Sequence, residues 1–162
     1  AVMAEAVLKR LRFSGRGIEL VRLMVEHHLR PGQMAQEGEL PTGRSIYRYF
    51  RDAGDAAIDT LYLNMADFLA ARGPALTEGE WADYCRVVGH ILRQGLEQKA
   101  PETLSKLLTG HDIMRAFCLS PGPEIGRLLA IAREAQADGE ITTSEEALAL
   151  VKAHVERGGG GA

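Results

Sequence analysis

Two groups of residues in this 162-residue chain have types and spacing suited to chemistry. The first is His27 and His28, side by side at the end of LVRLMVEHHLRPG, with Asp67 in NMADFLA. Imidazole and carboxylate donors suit a transition metal, on which bound water becomes a nucleophile toward phosphoesters. The second is Arg44, Arg48 and Arg51, spaced by 4 and 3 around the segment SIYRYFRDAGD. That spacing puts three guanidinium groups on one helix face, a row able to grip successive phosphates, with Tyr47 or Tyr49 to stack on a base. Arg30 and the early Lys9, Arg10, Arg12 and Arg16 are candidates to extend it.

Each group also has a plainer reading. His28 continues the line Ile18, Val21, Val25 toward the interior, where an imidazole needs a hydrogen-bond partner whatever its role. Asp67 lies opposite the apolar stripe of its helix, on a line with Thr60, Leu63 and Ala71, which suits an exposed carboxylate. The arginines have Asp52, Asp55 and Asp59 as candidate ion-pair partners. His111-Asp112 reads better as a helix start, with Thr109 as cap, than as a metal pair. Trp81 and Tyr84 read as packing, and His90 and His154 as core or surface residues. No Gly-rich phosphate loop, Ser nucleophile elbow or Cys/His dyad occurs.

The elements that must position these residues are helices. Apolar spacing is helical almost throughout and no stretch alternates as a half-buried strand does, so the expected class is all-α, with about eight helices. Ser14 caps a helix running to Leu29, where Pro31-Gly32 stops it; a loop follows, and Thr42 caps a helix through about Asp52. Asp55 is the expected cap of the next, with the stripe Ile58, Leu61, Met65, Phe68 and Leu69. Thr77 with Glu80, and Thr143 with Glu146, have capping-box spacing. The turn at Gly73-Pro74 suggests a front part, 1–73, a helical back part, 74–157, and a flexible tail, 158–162.

Composition narrows the class. Hydrophobic residues are 46% and charged residues 25%, as in ordinary globular proteins. The absence of a long apolar run argues against a membrane partner, and with no signal-like start the expected location is cytoplasmic. Cys85 and Cys118 lack metal or disulfide spacing and are expected to be buried thiols. Net charge is −3, but residues 1–52 hold nine Lys/Arg against six Asp/Glu and the remainder ten against sixteen. A polyanion contact therefore belongs in the first third.

The helix ending in paired histidines, the segment SIYRYFRDAGD and then LYLNMADFLA resemble the rear half of an HD domain. AVLKRLRFS resembles the segment after that domain's metal motif. LTGHDIMRAFCLSPGPEIGRLLAIAREAQADGEITTSEEALALV resembles the C-terminal helical region of bacterial tRNA nucleotidyltransferases and poly(A) polymerases. The resemblance implies the C-terminal part of such a protein: RNA, probed first as tRNA, as partner, no cofactor in this stretch, and magnesium in a nucleotidyl-transfer head elsewhere. It matches Asp67 to the HD domain's late aspartate and His28 or His27 to its later histidine. The earlier His and the His-Asp pair would lie upstream of Ala1, so the metal set here is partial. The alternative is an HD-type, metal-dependent phosphohydrolase acting on phosphoesters or nucleotides. A third reading is self-association through the acidic back helices, giving a homo-oligomer.

Overall fold

The computed structural model describes residues 1–35, 39–99 and 106–158. Among them the regular elements are α1 (Val2–Arg10), α2 (Gly15–His27), α3 (Arg30–Met34), α4 (Gly43–Ala53), α5 (Ala57–Arg72), α6 (Glu78–Lys99), α7 (Gly110–Phe117), α8 (Pro123–Ala137) and α9 (Ser144–Gly158). No strand occurs among the described residues, so the chain is all-α. The contacts divide it into two units, Ala1–Leu96 and Glu97–Ala162, with the division inside α6. The expected division at residue 73 coincides instead with a 3-10 turn, Gly73–Ala75. The reason is that Val88 and Ile91 of α6 belong to the front core. The expected tail lies, beyond Gly158, outside the described residues.

Most helix starts are where side-chain oxygens satisfy the first free N–H groups. Ser14 accepts from the Gly17 N–H and Thr42 from the Ser45 N–H. Thr109 and Asp112 form a reciprocal capping box. The Thr77 N–H donates to Glu80 and the Glu80 N–H to Thr77, and Thr143 and Glu146 exchange the same pair of bonds. Asp55 makes no such cap: it sits in a 3-10 turn, Gly54–Ala56, entered through Gly54 at φ +54°. The first helix ends at Arg10, and Arg12 turns left-handed at φ 59°.

One element was not expected. Pro31-Gly32 does not end the helical path; after His28 and Leu29 the chain enters α3 with Pro31 in its first turn. Proline is tolerated there because its missing N–H has no intrahelical partner to lose. Pro31 is buried, and α3 packs on α4 and α5.

The front core gathers Ile46, Tyr49, Phe50 and Ala53 of α4 with Ala57 and Leu61 of α5 and Val88 and Ile91 of α6. The Tyr49 hydroxyl donates to the Ala57 carbonyl at 2.6 Å, and burial pushes this phenol well above its ordinary range. Of the expected stripe of α5, Leu61 is buried and Ile58 and Met65 pack against this core, while Leu69 is exposed; the buried face also takes in Ala57, Thr60 and Asn64. Thr60 meets its polar need inside its own helix, donating to the Ala56 carbonyl, and Asn64 accepts from the Tyr84 hydroxyl. The back unit packs α7, α8 and α9 around Ile113, Ile125, Leu128, Ile141 and Val151. Cys85 is half-buried, but Cys118 is exposed, against expectation. It occupies the left-handed position that closes α7. No helix among the described residues is long and apolar enough to cross a membrane.

Candidate nucleic-acid interface

The arginine row is a consequence of how α4 is seated. Its four buried residues, Ile46, Tyr49, Phe50 and Ala53, fall on one side of the helical wheel. Arg44, Arg48 and Arg51 fall on the other, within one narrow stripe. Arg48 and Arg51 are exposed, while Arg44 and Tyr47 are half-buried beside them. Tyr49, the other stacking candidate, is unavailable: it is fully buried in the core. The seat is tight, since a Cβ at Gly95 of α6 would overlap the Phe50 ring.

Arg30 joins the row through α3. Its Nη1 donates to Asp52 Oδ2 at 2.8 Å, and Arg51 Nε donates to Asp52 Oδ1 at 2.8 Å. Two guanidinium groups, 21 positions apart in sequence, thus converge on one carboxylate. Partial burial opposes ionisation of Asp52, but the bonds from Arg51 and Arg30 outweigh it and hold the carboxyl below its ordinary range. All three side chains remain about a third exposed or more, so each pair stabilises by at most about 1 kcal/mol. Geometry, not stability, is what the arrangement supplies. Among the described residues, Asp52 is the expected carboxylate partner seen on Arg30 and Arg51, and Asp55 and Asp59 line a groove with Arg16 and Glu19. Lys9 is held by Glu5 on its own helix at 2.7 Å.

The histidine and aspartate group is not assembled. His28 is half-buried and its Nδ1 lies 2.9 Å from the Val25 carbonyl, the partner a buried imidazole needs. No hydrogen bond or ion pair joins Asp67 to His27 or His28 among the described residues. Asp67 is exposed, and its charge is felt instead by Tyr84, whose phenol burial and then Asp67 push up to about 12. No group of three or more His, Cys, Asp or Glu able to hold a metal exists among the described residues. Among the described residues these donors do not by themselves make up the three protein ligands of a zinc-type site.

The remaining candidates settle into structural roles. The Thr109 hydroxyl and N–H donate to Asp112, which lowers that carboxyl as a helix cap. His90 lies 3.0 Å from the Pro41 carbonyl, and His154 2.9 Å from the Leu150 carbonyl. Trp81 and Tyr84 stack with Phe68, the Tyr84 and Phe68 rings at 4.0 Å, and the Arg72 guanidinium lies over the Phe68 face. Sequence reasoning named Arg30 as a candidate to extend the row but missed α3, the helix that carries it. The signal was present: a proline directly after Arg30 suits a helix start as well as a stop.

Residues 90–151 match the family described as tRNA nucleotidyltransferase domain 2, putative. Over 93% of its length the chain is 34% identical to a CC-adding tRNA nucleotidyltransferase of Thermus thermophilus, of which it covers 31%. Over 96% it is 32% identical to an A-adding tRNA nucleotidyltransferase of Deinococcus radiodurans, of which it covers 34%. A CC-adding tRNA nucleotidyltransferase of Synechocystis is 26% identical over 93% of the chain, with 33% of that protein covered. The chain thus spans about a third of the length of these curated relatives. No solved structure matches it significantly. On the strength of these alignments, and across the stretch that it spans, the chain is similar to tRNA nucleotidyltransferases.

Proposed function

We propose that this chain is the C-terminal helical part of an RNA nucleotidyltransferase of the CC-adding or A-adding kind, and that it holds the substrate RNA rather than transferring nucleotides. The observation that carries the reading is the arginine stripe of α4, turned away from the buried face of that helix, with Arg30 brought to its end by α3. Such a stripe suits a phosphate backbone, because guanidinium groups present planar, always charged forks to successive phosphates. Tyr47 beside the stripe offers a ring for stacking. The names of the relatives favour tRNA as the RNA.

The nucleotidyl-transfer centre, with its magnesium, is assigned to the remaining two thirds of the length of such proteins. The described residues offer no carboxylate cluster to hold that ion. On this reading the 162-residue chain alone is expected not to transfer nucleotides. The test is binding of a labelled tRNA transcript by filter retention or anisotropy, comparing the wild type with Arg44→Glu/Arg48→Glu/Arg51→Glu. Loss of affinity by tenfold or more is expected from losing three phosphate contacts, with a flatter dependence on salt. Unchanged affinity in a variant that still folds, as judged by circular dichroism, overturns the reading.

A further inference from the structure

We infer that the turn joining α1 to α2 is a second RNA contact, in which Arg12 and Arg16, with Arg10 beside them, hold backbone phosphate and Phe13 stacks on an unpaired base. The inference rests on the reading of this chain as an RNA binder and adds to it a contact that does not use α4. Two backbone bonds lock the turn. The Phe13 N–H donates to the Leu8 carbonyl at 3.1 Å and the Arg12 N–H to the Lys9 carbonyl at 3.0 Å, with Arg12 left-handed at φ 59°. That pair of bonds closes many helices, and the left-handed position in it normally belongs to glycine, since a Cβ there crowds the following carbonyl. Ser14 then caps α2 at once. The turn is fixed by its backbone at both ends, and residues 9–16 are all exposed.

Two arginines stand here against local preference. Arg12 takes the place that suits glycine. Arg16 lies in the first turn of α2, where the helix dipole favours an acid over a cation, and that turn holds no acid. Neither gains a partner in return: no hydrogen bond or ion pair holds Arg10, Arg12 or Arg16 among the described residues. Elsewhere in the front unit Lys9, Arg22, Arg30, Arg72 and Arg86 each meet a carboxylate. Glu19, Asp55 and Asp59 line the groove beside Arg16 without an ion pair to it. Side chains that cost the fold something and make no contact within it point to a ligand outside it. Phe13, between them, is 52% exposed, and Leu11 59%. One edge of the Phe13 ring lies beside Gly17, where an added Cβ would be 3.7 Å away, so the ring is propped on α2 while much of it stays open. Open guanidinium groups around an open ring suit a polyanion that carries bases. Arg16 shares its groove with Asp55 and Ala56 of the 3-10 turn that follows α4, which sets this contact near the Arg51 end of the arginine row.

Arg12→Gly/Arg16→Glu separates a role in binding from a role in folding. Both changes follow local preference, so the variant is expected to melt, by circular dichroism, at or above the wild-type temperature. The same variant is expected to bind a labelled tRNA transcript about tenfold more weakly, with a salt slope flatter by about two phosphate contacts. Phe13→Leu alters no charge and keeps an apolar side chain, and is expected to weaken binding about fivefold through loss of the ring. A melting temperature well below wild type in the arginine variant assigns those residues to the fold and overturns the inference. Unchanged tRNA affinity in either variant also overturns it, and loss of affinity in Arg44→Glu/Arg48→Glu/Arg51→Glu then leaves the α4 face standing. If tRNA affinity holds while light scattering shows the variants breaking up a self-associated chain, the turn is a protein contact and the inference fails. Wild type that binds no tRNA overturns the RNA reading and this contact with it.

Discussion

The two units of this chain bury similar kinds of apolar residues but differ in what they do with polar ones. The back unit, Glu97–Ala162, has a buried core of aliphatic residues, and its described polar bonds include the helix-start caps of Thr109 with Asp112 and Thr143 with Glu146. The front unit, Ala1–Leu96, buries Thr60, Asn64 and the Tyr49 hydroxyl, and each has a partner. Buried polar groups are costly unless satisfied, and when satisfied they fix a particular packing. Charge follows the same division. The front unit is neutral, twelve Lys/Arg against twelve Asp/Glu, but its first 52 residues carry +3; the back unit has seven against ten. The family match over residues 90–151 lies mostly on the back unit, whereas the arginine face lies entirely on the front. Recognisable sequence and candidate chemistry are thus in different places.

The strongest way to break this comparison is to damage the back core alone. Leu128 is fully buried, and Leu128→Ala is expected to cost about 3 kcal/mol through lost burial and a residual cavity. The single tryptophan, Trp81, reports on the front unit. Circular dichroism should show an earlier transition while Trp81 fluorescence melts as in wild type, with tRNA affinity retained. A joint shift of both signals would show that the contrast between units is not an energetic one.

Smaller changes sharpen it within the front unit. Gly95→Ala drives a methyl into the Phe50 ring, an overpacking cost of about 2 kcal/mol that exceeds the gain of about 1 kcal/mol in helix propensity. Its midpoint in urea should fall, and with Phe50 displaced the arginine face of α4 should lose RNA affinity as well. Tyr49→Phe removes the bond to the Ala57 carbonyl at about 1 kcal/mol, measurable by the same denaturation. The Trp81 signal should follow both variants.

The smallest effect is a pH dependence. Asp112 and Glu146 have folded-state carboxyls held below the ordinary range by bonds from Thr109, and from Thr142 and Thr143. A group with a lowered folded pKa stabilises the fold above its unfolded value, and that contribution disappears as pH falls through the folded value. Melting temperature should therefore drop below about pH 4, and Asp112→Asn/Glu146→Gln should flatten that drop. An unchanged slope in the double variant would show that the caps carry no ionic share.

Helix content and most helix starts were legible in the residues because they are local: a Ser or Thr oxygen reaches an N–H only two or three residues away. Asp55 failed as a cap because Gly54, at positive φ, set a 3-10 turn in its place. α3 was missed because one proline serves either a start or a stop, and only packing on α4 and α5 chose. The buried face of α5 extends beyond the expected stripe for a related reason. Thr60 and Asn64 look exposed in a pattern of apolar residues, but internal bonds make them buriable.

What the sequence determined by itself was the all-helical class, the row of Arg44, Arg48 and Arg51 on one face, and the likeness to a family of RNA-processing enzymes. Those depend on periodicity and on short-range spacing, which the chain carries in any context. Tertiary structure alone decided that Tyr49 is core rather than a stacking platform, that His28 leans on a backbone carbonyl, and that Arg30 meets Arg51 at Asp52. Such outcomes depend on which helix surfaces come together, and a contact between residues 30 and 52 is fixed by the summed packing of several helices rather than by either residue.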